Sequence, residues 1–433
     1  MTSPAAVEAA IADAHRGQWA RVLSATMRVT RDLDLAQECV QEAYAAALQR
    51  WLLAGIPDNP AAWLTATARR RAIDALRHER AIRSRLPLLV EPDAAGAEPF
   101  DVLVTGDPEP GLAAGETAGV LPDERLRLIF TCCHPALSQD AQVALTLRLV
   151  CGISTADIGR AFLVPEPTMA ARITRAKKKI SVARIPFRVP RPAELPERLD
   201  AVLAVIHLLF TAGHTAPSGP ALVRADLADR ALQLTAMLRE LMPGEAELAG
   251  LQALLLVTDA RRATRVDADG RLVQLKDQDP SQWDQAALAA AHDLIVSCLR
   301  AGPPGRYVLQ AAIASLYAEA PDPDETDWPQ IVALYDKLLE VWPSPVVALN
   351  RAVPLARVAG AAAALAEVAA LERDGRLAGY QYLHAVKADL LSQAGRPAEA
   401  AAAYRQALDL TANEAERAFL TGQIARHAPP EVP

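Results

Sequence analysis

The chain has 433 residues, of which 51% are hydrophobic, 22% charged and 4% aromatic, with a formal net charge of −7. This is ordinary globular composition with room for two to four domains, and the average charge alone argues against a nucleic-acid binder. The five cysteines, Cys39, Cys132, Cys133, Cys151 and Cys298, fit neither a disulfide scaffold nor paired CxxC metal ligands.

The average charge hides segregation. Residues 151–191 carry nine Lys/Arg against two acids, whereas residues 91–124 carry nine acids and no base. Local fields govern binding to a polyanion, so the basic stretch is the informative one. Alanine is abundant and Arg outnumbers Lys by 39 to 6. Such a chain is expected to be all-α. The longest apolar stretch, 201–210, is too short to span a bilayer. No basic start followed by an apolar run marks a signal peptide, and a reducing, cytoplasmic setting is expected.

Four blocks follow in order. Residues 5–82 read as helices interrupted around Pro57 and Pro60. Residues 83–120, rich in Pro, Gly and acids, read as a linker. Residues 121–185 are helical again and end basic, and residues 186–428 open on a Pro-rich hinge and continue as an Ala/Leu-rich helical extension.

In the first block, Ala36, Val40, Ala43, Tyr44, Ala47, Leu48 and Trp51 recur at helical spacing. They leave Asp34, Glu38, Gln41 and Glu42 on the other face. After the Pro-bounded loop 56–60, which contains Asn59, a second helix is expected. Its residues Trp63, Ala66/Thr67, Arg70, Asp74 and Arg77 follow at steps of three and four, with Arg69 and Arg71 beside them. Cations neutralise phosphates and aromatic faces stack unpaired bases, a pairing suited to opened DNA.

In the third block, residues 155–179 have helix-turn-helix form. Ser154 or Thr155 can cap the first helix, Leu163-Val-Pro165 makes the turn, and Glu166-Pro167 starts the second helix. Met169, Ile173 and Ala176 would face inward. Thr168, Ala171 and Arg172 are then candidate base readers, and Arg175, Lys177 and Lys178 candidate phosphate contacts.

Cys132-Cys133-His134 suggests a metal cluster, but adjacent cysteines on a helix point about 100° apart, and a buried helix end fits better. Asp267-Ala-Asp-Gly270 lacks the later ligands of a calcium loop, and residues 264–275 read as a short hairpin turning at Asp269-Gly270. Single histidines such as His207 and His214 read as packed core residues. No phosphate-binding loop or nucleophile elbow is present in the sequence, so no metal, cofactor or catalytic residue is expected.

The stretch from Asp34 through Arg77 resembles region 2 of the extracytoplasmic-function group of sigma factors, and residues 155–179 resemble sigma region 4. Phe130-Thr-Cys-Cys-His-Pro-Ala-Leu137 is similar to the start of region 4 in the subgroup with a tetratricopeptide-like C-terminal extension. In the extension, Gly395-Arg-Pro-Ala-Glu matches the second helix of such a repeat. A looser copy lies at 349–371, with Gly360 and Gly395 separated by 35 residues, so repeats are expected near 344–427.

The resemblance implies that Asp34, Glu38, Gln41 and Glu42 meet core RNA polymerase. It implies that Asn59, Trp63, Arg69, Arg70, Arg71, Asp74 and Arg77 meet the −10 element of promoter DNA, and that region 4 reads the −35 element. It also implies that the extension regulates in place of a separate anti-sigma protein, through a protein or small-molecule signal. The chain departs from the subgroup at Phe210-Thr-Ala-Gly-His214 and at Gln278-Asp-Pro-Ser-Gln-Trp283, both with loss of charge or polarity. The competing readings are a repressor or activator using the helix-turn-helix alone and, with almost no support, an enzyme housed in the extension.

Overall fold

A computed structural model describes residues 3–85, 124–162, 164–320 and 325–427. Of the expected linker 83–120, residues 83–85 instead end a helix (Pro60–Arg85), and the rest, with Leu163 in the turn, lies outside the described residues. The chain divides into two compact units, Met1–Arg160 with Val164–Arg198, and Ala161–Leu163 with Leu199–Pro433. The described residues are overwhelmingly helical.

Unit 1 begins with α1 (Pro4–Thr30), α2 (Leu33–Ala54) and α3 (Pro60–Arg85). Each start is capped by a short polar side chain: Ser3, Asp32 and Asn59 accept from the backbone N–H groups of Ala6, Leu35 and Ala62 at 3.2, 2.8 and 3.0 Å. Arg31 ends α1 in the left-handed conformation (φ 50°), its N–H bonded to the Met27 carbonyl. The seam is small: Ala36, Ala43, Ala47, Ala68 and Ala72 are fully buried, which lets the three helices approach closely around Leu23, Val40 and Leu64.

The second half of unit 1 holds α4 (Glu124–Cys132), α5 (Gln139–Leu145), a π-helical turn (Thr146–Val150), α6 (Thr155–Phe162) and α7 (Glu166–Val182). α1 carries the joint to the front bundle. Trp19 Nε1 donates to the Leu149 carbonyl at 3.0 Å in a buried bond. Gly152 (φ +70°) abuts the same ring, and a Cβ there would fall 2.8 Å from His15 Cε1 and 3.0 Å from Trp19 Cγ.

Unit 2 contains the rest of α8 (Leu195–His214), then α9 (Ala225–Leu241), α10 (Ala246–Asp259), α11 (Gln285–Ala301), α12 (Arg306–Glu319), α13 (Trp328–Val341), α14 (Pro345–Ala359), α15 (Ala361–Asp374), α16 (Gln381–Gln393), α17 (Pro397–Leu410) and α18 (Glu414–His427). From α12 onward each helix packs on the next, and α14 also touches α16. Gly360 and Gly395, both at positive φ, separate α14 from α15 and α16 from α17. The expected hairpin is a loop closed by a single antiparallel bridge, Val266 to Leu272, turning at Gly270 (φ +77°). The sequence reading missed a parallel pairing of β1 (Ser218–Gly219) with β2 (Ala412–Asn413). The buried Asn413 side chain reinforces it by donating to the carbonyls of Ala216 and Ala221 at 3.1 and 2.9 Å.

Candidate nucleic-acid interface

The face of α2 emerges as its spacing dictates. Ala36, Val40, Ala43, Tyr44, Ala47 and Trp51 are buried, and Asp34, Glu38, Gln41 and Glu42 are exposed. Leu48, expected inside, is 44% exposed, because α1 and α3 cover a narrower stripe than the periodicity suggests. The Glu42 carboxylate accepts a charged hydrogen bond from Arg71 of α3, so these two residues, expected to serve different partners, are paired.

On α3, Trp63 is half-buried and meets Trp51 edge-to-face, with ring centroids 5.6 Å apart. Asn59, Arg69, Arg70, Asp74 and Arg77 are exposed, and Asp74 and Arg77 stand 3.8 Å apart. The open face therefore carries Trp63, Arg70, Asp74 and Arg77 in one row, while Arg71 is turned toward α2.

In the helix-turn-helix, Ser154 caps α6 by accepting from the Asp157 N–H at 3.1 Å. Met169, Ile173, Ala176 and Ile180 form the buried side of α7. Thr168, Ala171, Arg175 and Lys178 are exposed. Arg172 is held against Asp140 at 3.2 Å, tethering it toward α5. Lys177 differs from expectation: only 11% of its side chain is exposed, and its ammonium donates to Asp34 Oδ1 and Gln37 Oε1, both at 2.7 Å. Helical spacing places Lys177 off the inward seam of its own helix, but a distant element, α2, comes to meet it.

Trp19, Gln37 and Gly152 thus belong to the joint between the two modules, and the sequence reading assigned none of them. A glycine next to a cysteine at a helix end was the only local signal for Gly152.

Cys132 and Cys133 are buried at the end of α4, where burial pushes both thiols up, Cys133 to about 11, despite a contact with Thr146 Oγ1 at 3.4 Å. Neutral thiols are poor metal ligands. Among the described residues no group of three or more His, Cys, Asp or Glu could hold a metal ion, and no helix is long and apolar enough to cross a membrane.

Residues 19–82 match the family described as sigma-70 region 2, and residues 127–180 match sigma-70 region 4. Residues 198–299 match a family of unknown function, DUF6596. An uncharacterized protein of Rhizobium meliloti is 42% identical over 405 residues, which is 93% of this chain and 92% of that protein.

Proposed function

The chain belongs to the sigma-70 family, and from that premise we propose a division of labour among its modules in promoter-specific transcription initiation. Core RNA polymerase docks on the exposed face of α2 through Asp34, Glu38, Gln41 and Glu42. The row on α3, led by Trp63, Arg70 and Arg77, with Asn59 and Arg69 at its edges, holds the opened −10 strand. Its aromatic ring supplies a stacking surface and its cations a backbone track. The start of α7 enters the major groove at the −35 element, with Thr168, Ala171 and Arg172 at base edges and Arg175, Lys177 and Lys178 at phosphates.

The observation that carries this reading is the presence in one chain of two separate surfaces suited to DNA, one aromatic and cationic, the other on a helix-turn-helix with a buried seam. A repressor needs only the second. Run-off transcription with purified core polymerase tests it: promoter-specific transcripts are expected, and duplex binding without any core-dependent transcript would overturn it.

The two modules are closed on each other by one ion pair, Lys177 of α7 to Asp34 of α2, which buries most of the Lys177 side chain and leaves 75% of the Asp34 side chain exposed. Docking of Lys177 on a phosphate requires that pair to part. We place the chain in the extracytoplasmic-function group with a tetratricopeptide-like tail, on the 35-residue register of α14–α15 and α16–α17, and we assign the tail a regulatory role.

A further inference from the structure

Unit 2 contains a feature that promoter binding does not use. The chain leaving α10 folds back through the 264–275 loop and lines a half-open cavity of about 220 Å³. Its lining includes Arg261, Arg265, Leu272, Gln274 and Gln278. The Nε of Arg261 is buried and has no hydrogen-bond partner, and no carboxylate among the described residues pairs with that guanidinium. Its one neighbour of note is the ring of Trp283, 6.0 Å away. Arg265 donates to the His214 carbonyl and, at 3.0 Å, to Thr215 Oγ1. The carboxylate whose charge acts on Arg265 is that of the buried Glu416, already engaged by Tyr382 Oη at 2.6 Å and Gln381 Nε2 at 2.8 Å. Arg262, between the two on the chain, is satisfied elsewhere by Asp229 and Asp259, both at 2.7 Å.

Hydrogen bonds tie the walls together. Thr264 Oγ1 accepts from Trp283 Nε1 at 3.0 Å and donates to Gln278 Oε1 at 3.1 Å, while Gln278 Nε2 donates to the Val273 carbonyl at 3.1 Å. Guanidinium groups stay charged even when burial works against them. Two of them lining one cavity, one without a counter-charge, oppose folding unless an anion enters. A planar fork of N–H donors matches the oxygens of phosphate and carboxylate alike.

We propose that this cavity binds a small oxyanion, a phosphate or a compact carboxylate, with Arg261 as its principal ligand and Arg265 as the second. The cavity volume suits a small molecule. The site belongs to the tail alone and does not depend on the promoter-directing reading.

The test is thermal unfolding and calorimetry of the full chain with three probes: inorganic phosphate, pyrophosphate and succinate. At least one probe is expected to raise the melting temperature progressively with concentration, as a ligand selective for the folded state must, at constant ionic strength set with chloride. The order of the three separates a phosphate site from a carboxylate site. Arg261→Gln is expected to melt at or above the parent without ligand, since it removes a buried charge that lacks a counter-ion, and to lose at least tenfold in affinity. Arg261→Lys, which keeps the charge and loses the fork, is expected to retain weakened binding even if the glutamine variant folds poorly. Absence of a shift with all three probes, or an undiminished shift in both variants, would overturn the proposal. Transcription by the parent chain is read separately, so failure here leaves the promoter assignment intact.

Discussion

His207 and His214 are neutral rings inside the tail. Burial and the nearby Arg306 lower His207 to about 4, where it meets Tyr307 edge-to-face at 5.5 Å. Burial, then Arg265, Arg261 and Arg262, lower His214 to about 2, stacked on Phe210. The unfolded value is near 6.5. Above that pH neither state binds a proton at these rings. Below it the unfolded chain takes up protons that the fold refuses, and stability falls by up to ~1.4 kcal/mol per pH unit for each ring. For His207 the loss ends near 4, where the folded ring also protonates. A urea midpoint measured from pH 8 to pH 5 should be flat at first and decline below about 6.5. The double substitution His207→Gln and His214→Gln should flatten that decline; an unchanged slope would assign it to other groups. At Asn413, fully buried with two carbonyls as partners, Asn413→Ala should cost roughly 1–3 kcal/mol in chemical denaturation by stranding those acceptors.

Among the elements, α7 offers the cleanest test of the proposed split between base reading and phosphate binding. If Arg172 reads a base, Arg172→Ala should relax −35 selectivity at one position by about 1–3 kcal/mol, once its hold on Asp140 is released. Lys178→Ala should instead weaken binding evenly across sequences and reduce the salt slope by about 1. Competition binding against single-base promoter variants distinguishes the two outcomes. At the joint, Lys177→Gln removes the ion pair to Asp34, and Gly152→Val forces a branched side chain against His15 and Trp19. Both should increase the distance between fluorophores placed on α3 and α7; a distance unaltered in both variants would show that the closed pairing does not rest on these contacts. Helical spacing made the buried faces of α2 and α7 legible, because each element writes its own period into the chain. It could not anticipate Lys177 meeting Asp34, 143 residues away, nor Arg261 and Arg265 turned onto one cavity, because those juxtapositions belong to the path of the connecting chain. Leu48 erred for a related reason: periodicity gives a direction but not the width of the covering partner.

For the whole molecule, the all-α class and the order of front modules and helical tail followed from composition, proline placement and motif. The two-residue strands that tie the tail were too short to leave a pattern. Removing the tail near Pro190 keeps the residues of α1 to α7 but also removes Arg198, which donates to the Phe130 carbonyl; run-off transcription by that truncated chain, beside one cut after Arg198, tests the proposed regulatory role of the tail. Higher output than the full chain marks the tail as a restraint, and lower output marks it as an activator.

The strand pairing has a temporal consequence. Ser218 near the beginning of the tail pairs with Ala412 near its end, so the register is complete only once the chain has been made through β2. At ~5–20 residues per second a ribosome needs roughly 10–40 s to make the intervening stretch. During that interval the promoter-facing modules of each nascent chain have already emerged and can fold, while their companion is unfinished. Every newly synthesised copy therefore passes through a brief youth in which its front half is free of the mature tail.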